Sequence, residues 1–464
     1  MLEKLPKLFC PSSVAVIGAS DNFDKLGYHV MKSLVEGKYQ GQIYPINPRG
    51  REIWGLRAYA SLEDVPSEVE LAVIVVPAQL VPRVLEECGR KGVEGVVLIT
   101  AGFRELEDPT GAALQEEIRQ MAAKWSLPII CPNTFGFVNL PFSLNASFTS
   151  ELSLLEKGGV ALVSQSGGFS HLCGFRSVDQ KVGFSKLVGL GNRCNVDFPE
   201  MVDYLANDPD TRVIALYIEG MDNPRRLMEA AKNVRKPIIA YKAGRSERGD
   251  DASRFHTGSL AGDYRVYQGA FRQAGILQLG DTEELLDAAK ALDNLPPLKG
   301  NRVAVLSSQA GPGMIACDVA EAQGLTLPSF TPSTQDRINE LLPPLAIRTN
   351  PVDMGPAWYS PEAIVGIVAA VGQDSKIDGI LFLAMYASAN LGLVKTMRDY
   401  LKDRRSLKLE KPLIACFAAP PGIWWDDIRA MDKAGMVVLP TPERAARAMG
   451  ALWHVRQLKP IKEG

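Results

Sequence analysis

The chain carries a series of short, almost wholly apolar runs, each closing on glycine or small polar residues and each followed by a helical pattern. Val14-Ala15-Val16-Ile17 runs into Gly18-Ala19-Ser20-Asp21 and then into a helical stretch over 26–35. The runs at 71–77 and 96–102 repeat the form, as do 159–163 before Ser164-Gln165-Ser166-Gly167-Gly168 and 213–218 before Glu219-Gly220. A short apolar run without alternation reads as a strand buried on both faces, which is the habit of parallel sheets covered by helices on both sides. The chain is therefore expected to be α/β.

At 464 residues it exceeds what one core organises. Three domains are expected, at 1–145, 146–296 and 297–464, the last break falling on Pro296-Pro297-Leu298-Lys299-Gly300. The third opens on 302–306 followed by Ser307-Ser308-Gln309-Ala310-Gly311-Pro312-Gly313, a repeat of the unit that opens the second. Strands are expected at 379–384, 413–417 and 437–439, and Asn350-Pro351-Val352-Asp353-Met354-Gly355 reads as a polar insertion.

A formal net charge of −2 disfavours a nucleic-acid-binding protein. Seven cysteines, an odd count without C-x-x-C, indicate neither a disulfide framework nor a zinc site, and no metal ligands are expected in this chain. Reduced thiols, no apolar signal segment and no run of membrane-spanning length fit a cytoplasmic protein that does not enter a membrane.

Three stretches carry chemistry. Free backbone N–H groups and the helix dipole make Ser164, Gln165, Ser166, Gly167 and Gly168 a candidate anion site at a helix N-terminus. Glu219 closes a strand at the end where open α/β sheets place ligands. His256, one of four histidines, lies in a long polar connection after the strand 237–241. A neutral imidazole can carry a phosphoryl group, and a carboxylate can hold its other nitrogen protonated and oriented. Taken alone, an exposed loop histidine without a role is the plainer reading of His256; the other two stretches shift the balance. His171 reads as a packed or surface residue of its helix, and His454 as a packing residue of a later helix.

The turn at 18–21 is not G-x-G-x-x-G, and Asn47-Pro48-Arg49 stands where a dinucleotide site would favour an acidic residue for the ribose, which disfavours NAD. Glycine turns alone are equally compatible with plain structure.

Together, His256-Thr257-Gly258-Ser259-Leu260-Ala261-Gly262, Ser164-Gln165-Ser166-Gly167-Gly168 and Tyr217-Ile218-Glu219-Gly220 resemble the α subunit of ADP-forming acyl-CoA synthetases, the acetate–CoA ligase relatives of succinyl-CoA synthetase. The resemblance spans nearly the whole chain. It implies an N-terminal Rossmann-like CoA-binding domain followed by two flavodoxin-like domains. It also implies that Gly18, Ala19, Ser20, Arg49, Val76, Pro77 and Asn133 contact coenzyme A. The implied reaction converts acyl-CoA, phosphate and ADP into acid, CoA and ATP through acyl phosphate and phosphorylated His256. No G-x-x-x-x-G-K-[ST] motif or ATP-grasp segment is present. The resemblance therefore implies a separate ATP-grasp β subunit in an α2β2 assembly, with ADP/ATP and Mg2+ bound mainly there.

Two departures stand out. Cys131 occupies a position where relatives begin a motif with glycine, which leaves its backbone conformation open. Phe255 stands beside His256 where relatives often have serine. The rival readings are a succinate-specific ligase, disfavoured by the third domain, and a non-catalytic CoA-sensing protein on the same fold.

Overall fold

The computed structural model describes residues 1–106, 108–250, 263–344, 347–357, 360–402, 410–433 and 436–458. Its chain divides into two compact units, Met1–Gly280 and Asp281–Gly464.

The first unit contains two large sheets and, among the described residues, a small antiparallel pair at Glu52–Ile53 and Leu56–Arg57. One is built from β1 (Ser13–Ile17), β2 (Gln42–Ile46), β3 (Leu71–Ile74), β4 (Gly95–Leu98) and β5 (Ile129–Ile130), all parallel, in the order β2-β1-β3-β4-β5. β1, β3 and β4 are buried at every position, which is why their sequences lack alternation. The order reverses between β1 and β3, so the loops after these strands diverge and leave a crevice at their C-terminal ends.

The second sheet contains β6 (Gly136–Asn139), β7 (Leu144–Ser147), β8 (Lys157–Ser164), β9 (Phe184–Gly189), β10 (Val213–Ile218), β11 (Ile238–Lys242) and β12 (Ile276–Gln278). Its order is β12-β11-β10-β8-β9-β6-β7. The five strands from β8 to β12 are parallel and repeat the topology of the first sheet, with the reversal between β8 and β10. The helices between them begin where their caps specify. Asp197 forms a capping box with Glu200 at Phe198–Asn207, and the Asp263 carboxylate accepts from the Arg265 N–H at Tyr264–Ala274.

The hairpin β6–β7, antiparallel to β9, has no counterpart in the sequence reading. Its buried polar residues hide it. Asn139 donates to the Phe9 carbonyl (2.9 Å), Asn145 to the Thr149 carbonyl (2.9 Å), and Ser147 to Asn145 Oδ1 (2.6 Å). Satisfied in this way, polar side chains occupy strand interiors that an apolar pattern would miss.

The second unit holds one parallel sheet: β13 (Val303–Ser307), β14 (Val352–Asp353), β15 (Gly379–Met385), β16 (Leu413–Ala418) and β17 (Val437–Leu439). Its order, β14-β13-β15-β16-β17, repeats the same topology a third time. Within the expected insertion at 350–355, Val352–Asp353 forms an edge strand. Its register is helped by Asn350, whose side chain accepts from the Val305 N–H (3.0 Å) and donates to the Val303 carbonyl (2.9 Å). The helix Thr282–Asn294 packs on the helix Pro442–Leu458 of this unit, where Arg444 grips Asp287 through two bonds of 2.7 Å. No helix is long and apolar enough to cross a membrane among the described residues.

Candidate active site

Strand β8 delivers Ser164 to the reversal point of the second sheet. Its hydroxyl donates to the Ser166 carbonyl (2.8 Å) and accepts from the Ser166 N–H (3.1 Å), closing a tight turn. Ser166 caps the helix Gly167–Gln180 by accepting from the Phe169 N–H (3.2 Å). The first N–H groups of that helix are the donors that a helix N-terminus leaves without intrahelical partners.

Gln165 faces across the reversal to β10. Its Oε1 accepts from the backbone N–H of Glu219 (2.6 Å) and of Gly220 (3.1 Å). Its Nε2 is buried and meets no protein acceptor. Glu219 is itself buried, 6% exposed. Burial first, then the neighbouring Glu219 carboxylate, pushes the Tyr217 phenol well above its ordinary range. From the other side, Lys242 at the end of β11 donates to the Glu219 carbonyl (2.8 Å) and the Ala243 carbonyl (2.5 Å), with its ammonium 4.8 Å from the centre of the Tyr267 ring. Glu219 is thus held by its N–H and by its C=O.

A cavity of about 520 Å³ opens in front of this turn. Gln165, Ser166, Gly167 and Gly168 form one side, and Asn133 and Asn192 another. A candidate coenzyme A contact and the candidate anion turn therefore share one space. Gly18, Ala19, Ser20, Arg49, Val76 and Pro77 lie at the C-terminal ends of β1, β2 and β3 and do not line this cavity. There Asn47 donates to the Ala19 carbonyl (2.8 Å) and accepts from the Arg49 N–H (2.9 Å), tying the first two turns together. Gly18 has φ +97, and a Cβ would sit 3.1 Å from the Val75 carbonyl oxygen, so this turn requires glycine.

Cys131 takes φ +68, the left-handed conformation that glycine accommodates freely, and is fully buried. His256 and Phe255 lie outside the described residues.

The structure adds a residue that sequence reasoning set aside. His171 lines the cavity. Its Nδ1 is 2.7 Å from the Gly167 carbonyl, which can only accept, so Nδ1 carries the proton. Its Nε2, 2.8 Å from Thr149 Oγ1, then accepts from that hydroxyl. The ring lies among Phe135 and Phe148, with centroids 5.3 and 6.2 Å away. Its spacing four residues after Gly167, one helical turn into the helix, was the available signal.

The chain matches the model of a CoA binding domain over residues 12–139 and that of a succinyl-CoA ligase like flavodoxin domain over 157–292. It is 38% identical to the α subunit of the ADP-forming acetate–CoA ligase II of Pyrococcus furiosus, with 99% of each chain covered. It is also 38% identical to the ligase I α subunit of that organism, with 97% of each covered. Among solved structures, an acetyl-coenzyme A synthetase 1 of Ca. Korarchaeum cryptofilum, in complex with phosphate and ADP, superposes with a TM-score of 0.91 at 33% identity, covering 98% of this chain and 97% of that one. Three doubly wound sheets, a helix-capping turn at a reversal point and likeness across whole chains lead to one conclusion: the chain belongs to the family of α subunits of ADP-forming acetate–CoA ligases.

Proposed function

We propose that the chain is the α subunit that interconverts acyl-CoA and phosphate with carboxylic acid, CoA and a phosphorylated His256, acetate or a similar small acid being the substrate. Phosphate sits at the helix N-terminus formed by Ser166, Gly167 and Gly168, with the Gly167 and Gly168 N–H groups as donors, Ser164 holding the turn and the buried Gln165 Nε2 available as a further donor. A phosphate oxygen attacks the thioester carbonyl carbon, the C–S bond breaks, and CoA leaves as thiolate. His256 then takes the phosphoryl group from the acyl phosphate and releases the acid. Donors fixed before the reaction stabilise the charge that develops. Glu219 orients the imidazole, and Gln165 and Lys242 keep Glu219 in place.

Coenzyme A lies along Gly18, Ala19, Ser20, Arg49, Val76 and Pro77, and its thiol arm reaches the cavity past Asn133. ADP, ATP and Mg2+ bind mainly on a separate ATP-grasp β subunit, in an α2β2 assembly in the cytoplasm. The observation that carries this reading is the Gln165 side chain, which lines the cavity shared with Asn133 and accepts from the backbone N–H of Glu219, so that the turn and the Glu219 backbone are tied together.

Incubation of the chain with acetyl phosphate tests it. Acid-labile phosphate is expected on His256, and His256→Asn is expected to abolish it while coenzyme A binding persists. Label that survives the substitution would overturn the assignment.

A further inference from the structure

Behind the cavity wall formed by Asn192 lies a pair of arginines that the reaction above does not use. Arg193 follows Asn192 directly, is 4% exposed, and holds φ +59, a conformation costly for a bulky side chain. Arg104 comes from the loop after β4. Both guanidinium groups approach the same atom, Asp222 Oδ2, Arg104 at 3.6 Å and Arg193 at 3.8 Å, beyond hydrogen-bond range. Arg193 Nη1 also lies 3.4 Å from Asp197 Oδ2. Four buried nitrogens, Nε and Nη2 of each arginine, find no protein acceptor. Burial first, and then the charge of Arg193, lowers the Arg104 guanidinium from its ordinary value despite Asp222.

Buried charged donors without acceptors are costly, and a fold retains them where something else supplies the acceptors. Two guanidinium forks converging on one point suit a tetrahedral oxyanion. The place is fixed by its neighbours. Asp222 lies three residues beyond Glu219, and the loops carrying the arginines are knit together where Gln115 accepts from the Arg104 N–H and donates to the Arg193 carbonyl, at 3.3 Å each.

We propose that Arg104 and Arg193 form a second oxyanion subsite beside the reaction cavity, which takes inorganic phosphate in place of the Asp222 carboxylate. Asp222, with its side chain 59% exposed, is the lid that such an anion displaces. The subsite holds phosphate on its way to or from the turn at Ser166-Gly167-Gly168, and so rests on the reading of the chain as a phosphate-using α subunit.

Calorimetric titration of the full chain with inorganic phosphate, in a buffer free of other multivalent anions, tests it. Wild type is expected to bind two phosphates and the Arg104→Gln/Arg193→Gln double variant one. Asp222→Asn, a change at the surface, is expected to tighten one of the two on the order of fivefold, the scale of one exposed ion pair. A single phosphate in wild type that both variants leave unchanged would overturn the subsite and leave the proposed function standing. No phosphate bound by wild type would overturn both.

Discussion

Gln165 Oε1 accepts the backbone N–H of Glu219 at 2.6 Å, although 54 positions separate the two residues in the chain. The bond ties the end of β8 to the end of β10, the two strands between which the sheet order reverses. The candidate anion turn and the candidate orienting carboxylate are therefore parts of one rigid connection.

Gln165→Leu removes the acceptor from two buried N–H groups. Leaving them unsatisfied costs about 1–3 kcal/mol each, and the melting temperature is expected to fall. Misplacement of Glu219 is expected to slow His256 phosphorylation by roughly a hundredfold. Gln165→Glu keeps an acceptor for both groups but turns a carboxylate toward the anion. Its melting temperature is expected to stay close to wild type while phosphate binding weakens, so calorimetry and thermal melts on the two variants separate the roles.

Lys242 is fully buried, and burial lowers its ammonium from the ordinary lysine value despite the Asp250 and Glu219 carboxylates. Between its lowered folded value and the ordinary value near 10.5, the unfolded chain binds more protons than the folded one. Stability contributed by this group therefore rises with pH across that window and is flat below it. Denaturant melts at pH values rising toward 10.5 are expected to show the rise in wild type relative to Lys242→Met. At neutral pH Lys242→Met leaves the Glu219 and Ala243 carbonyls without their donor, a loss of about 1–3 kcal/mol.

Cys131 pays backbone strain for its side chain. Left-handed dihedrals cost a non-glycine residue about 1–2 kcal/mol, and here Cys131 Sγ lies 3.2 Å from the Gly189 carbonyl oxygen inside the core. Cys131→Gly relieves the strain and loses the packing, so its unfolding free energy is expected within about 1 kcal/mol of wild type. Cys131→Val adds a branched Cβ at the same dihedrals and is expected to be the less stable of the two. Burial pushes the thiol far above its ordinary range, so mass spectrometry after iodoacetamide treatment of the folded chain should find Cys131 unmodified.

His171→Phe keeps a ring beside Phe135 and Phe148 but removes the donor to the Gly167 carbonyl and the acceptor for Thr149. A stability loss of about 1–2 kcal/mol is expected in thermal melts. Because the ring lines the cavity, formation of acyl phosphate from acyl-CoA, followed by thiol release, is expected to slow roughly tenfold. A rate equal to wild type would reduce His171 to a packing residue.

Much of this was legible in the chain itself. Strands buried on both faces write themselves as unbroken apolar runs, so β1, β3, β8 and β10 stand out, and glycine and serine after them mark turns whose chemistry is local. The turn at 164–168 and the helix caps at Asp197 and Asp263 need only near neighbours to form, and Glu219 is marked by its place at a strand end. The tertiary structure decided what depends on distant pairing. Strand order, set by packing between segments, brought Gln165 to Glu219 and Asn133 to the candidate anion turn. It also turned His171 toward a cavity, hid the β6–β7 hairpin behind satisfied asparagines, and gathered Arg104, Arg193 and Asp222 from three separate loops. Local propensity acts over a few residues, whereas burial and charge act through space, and only the folded chain fixes which residues are close.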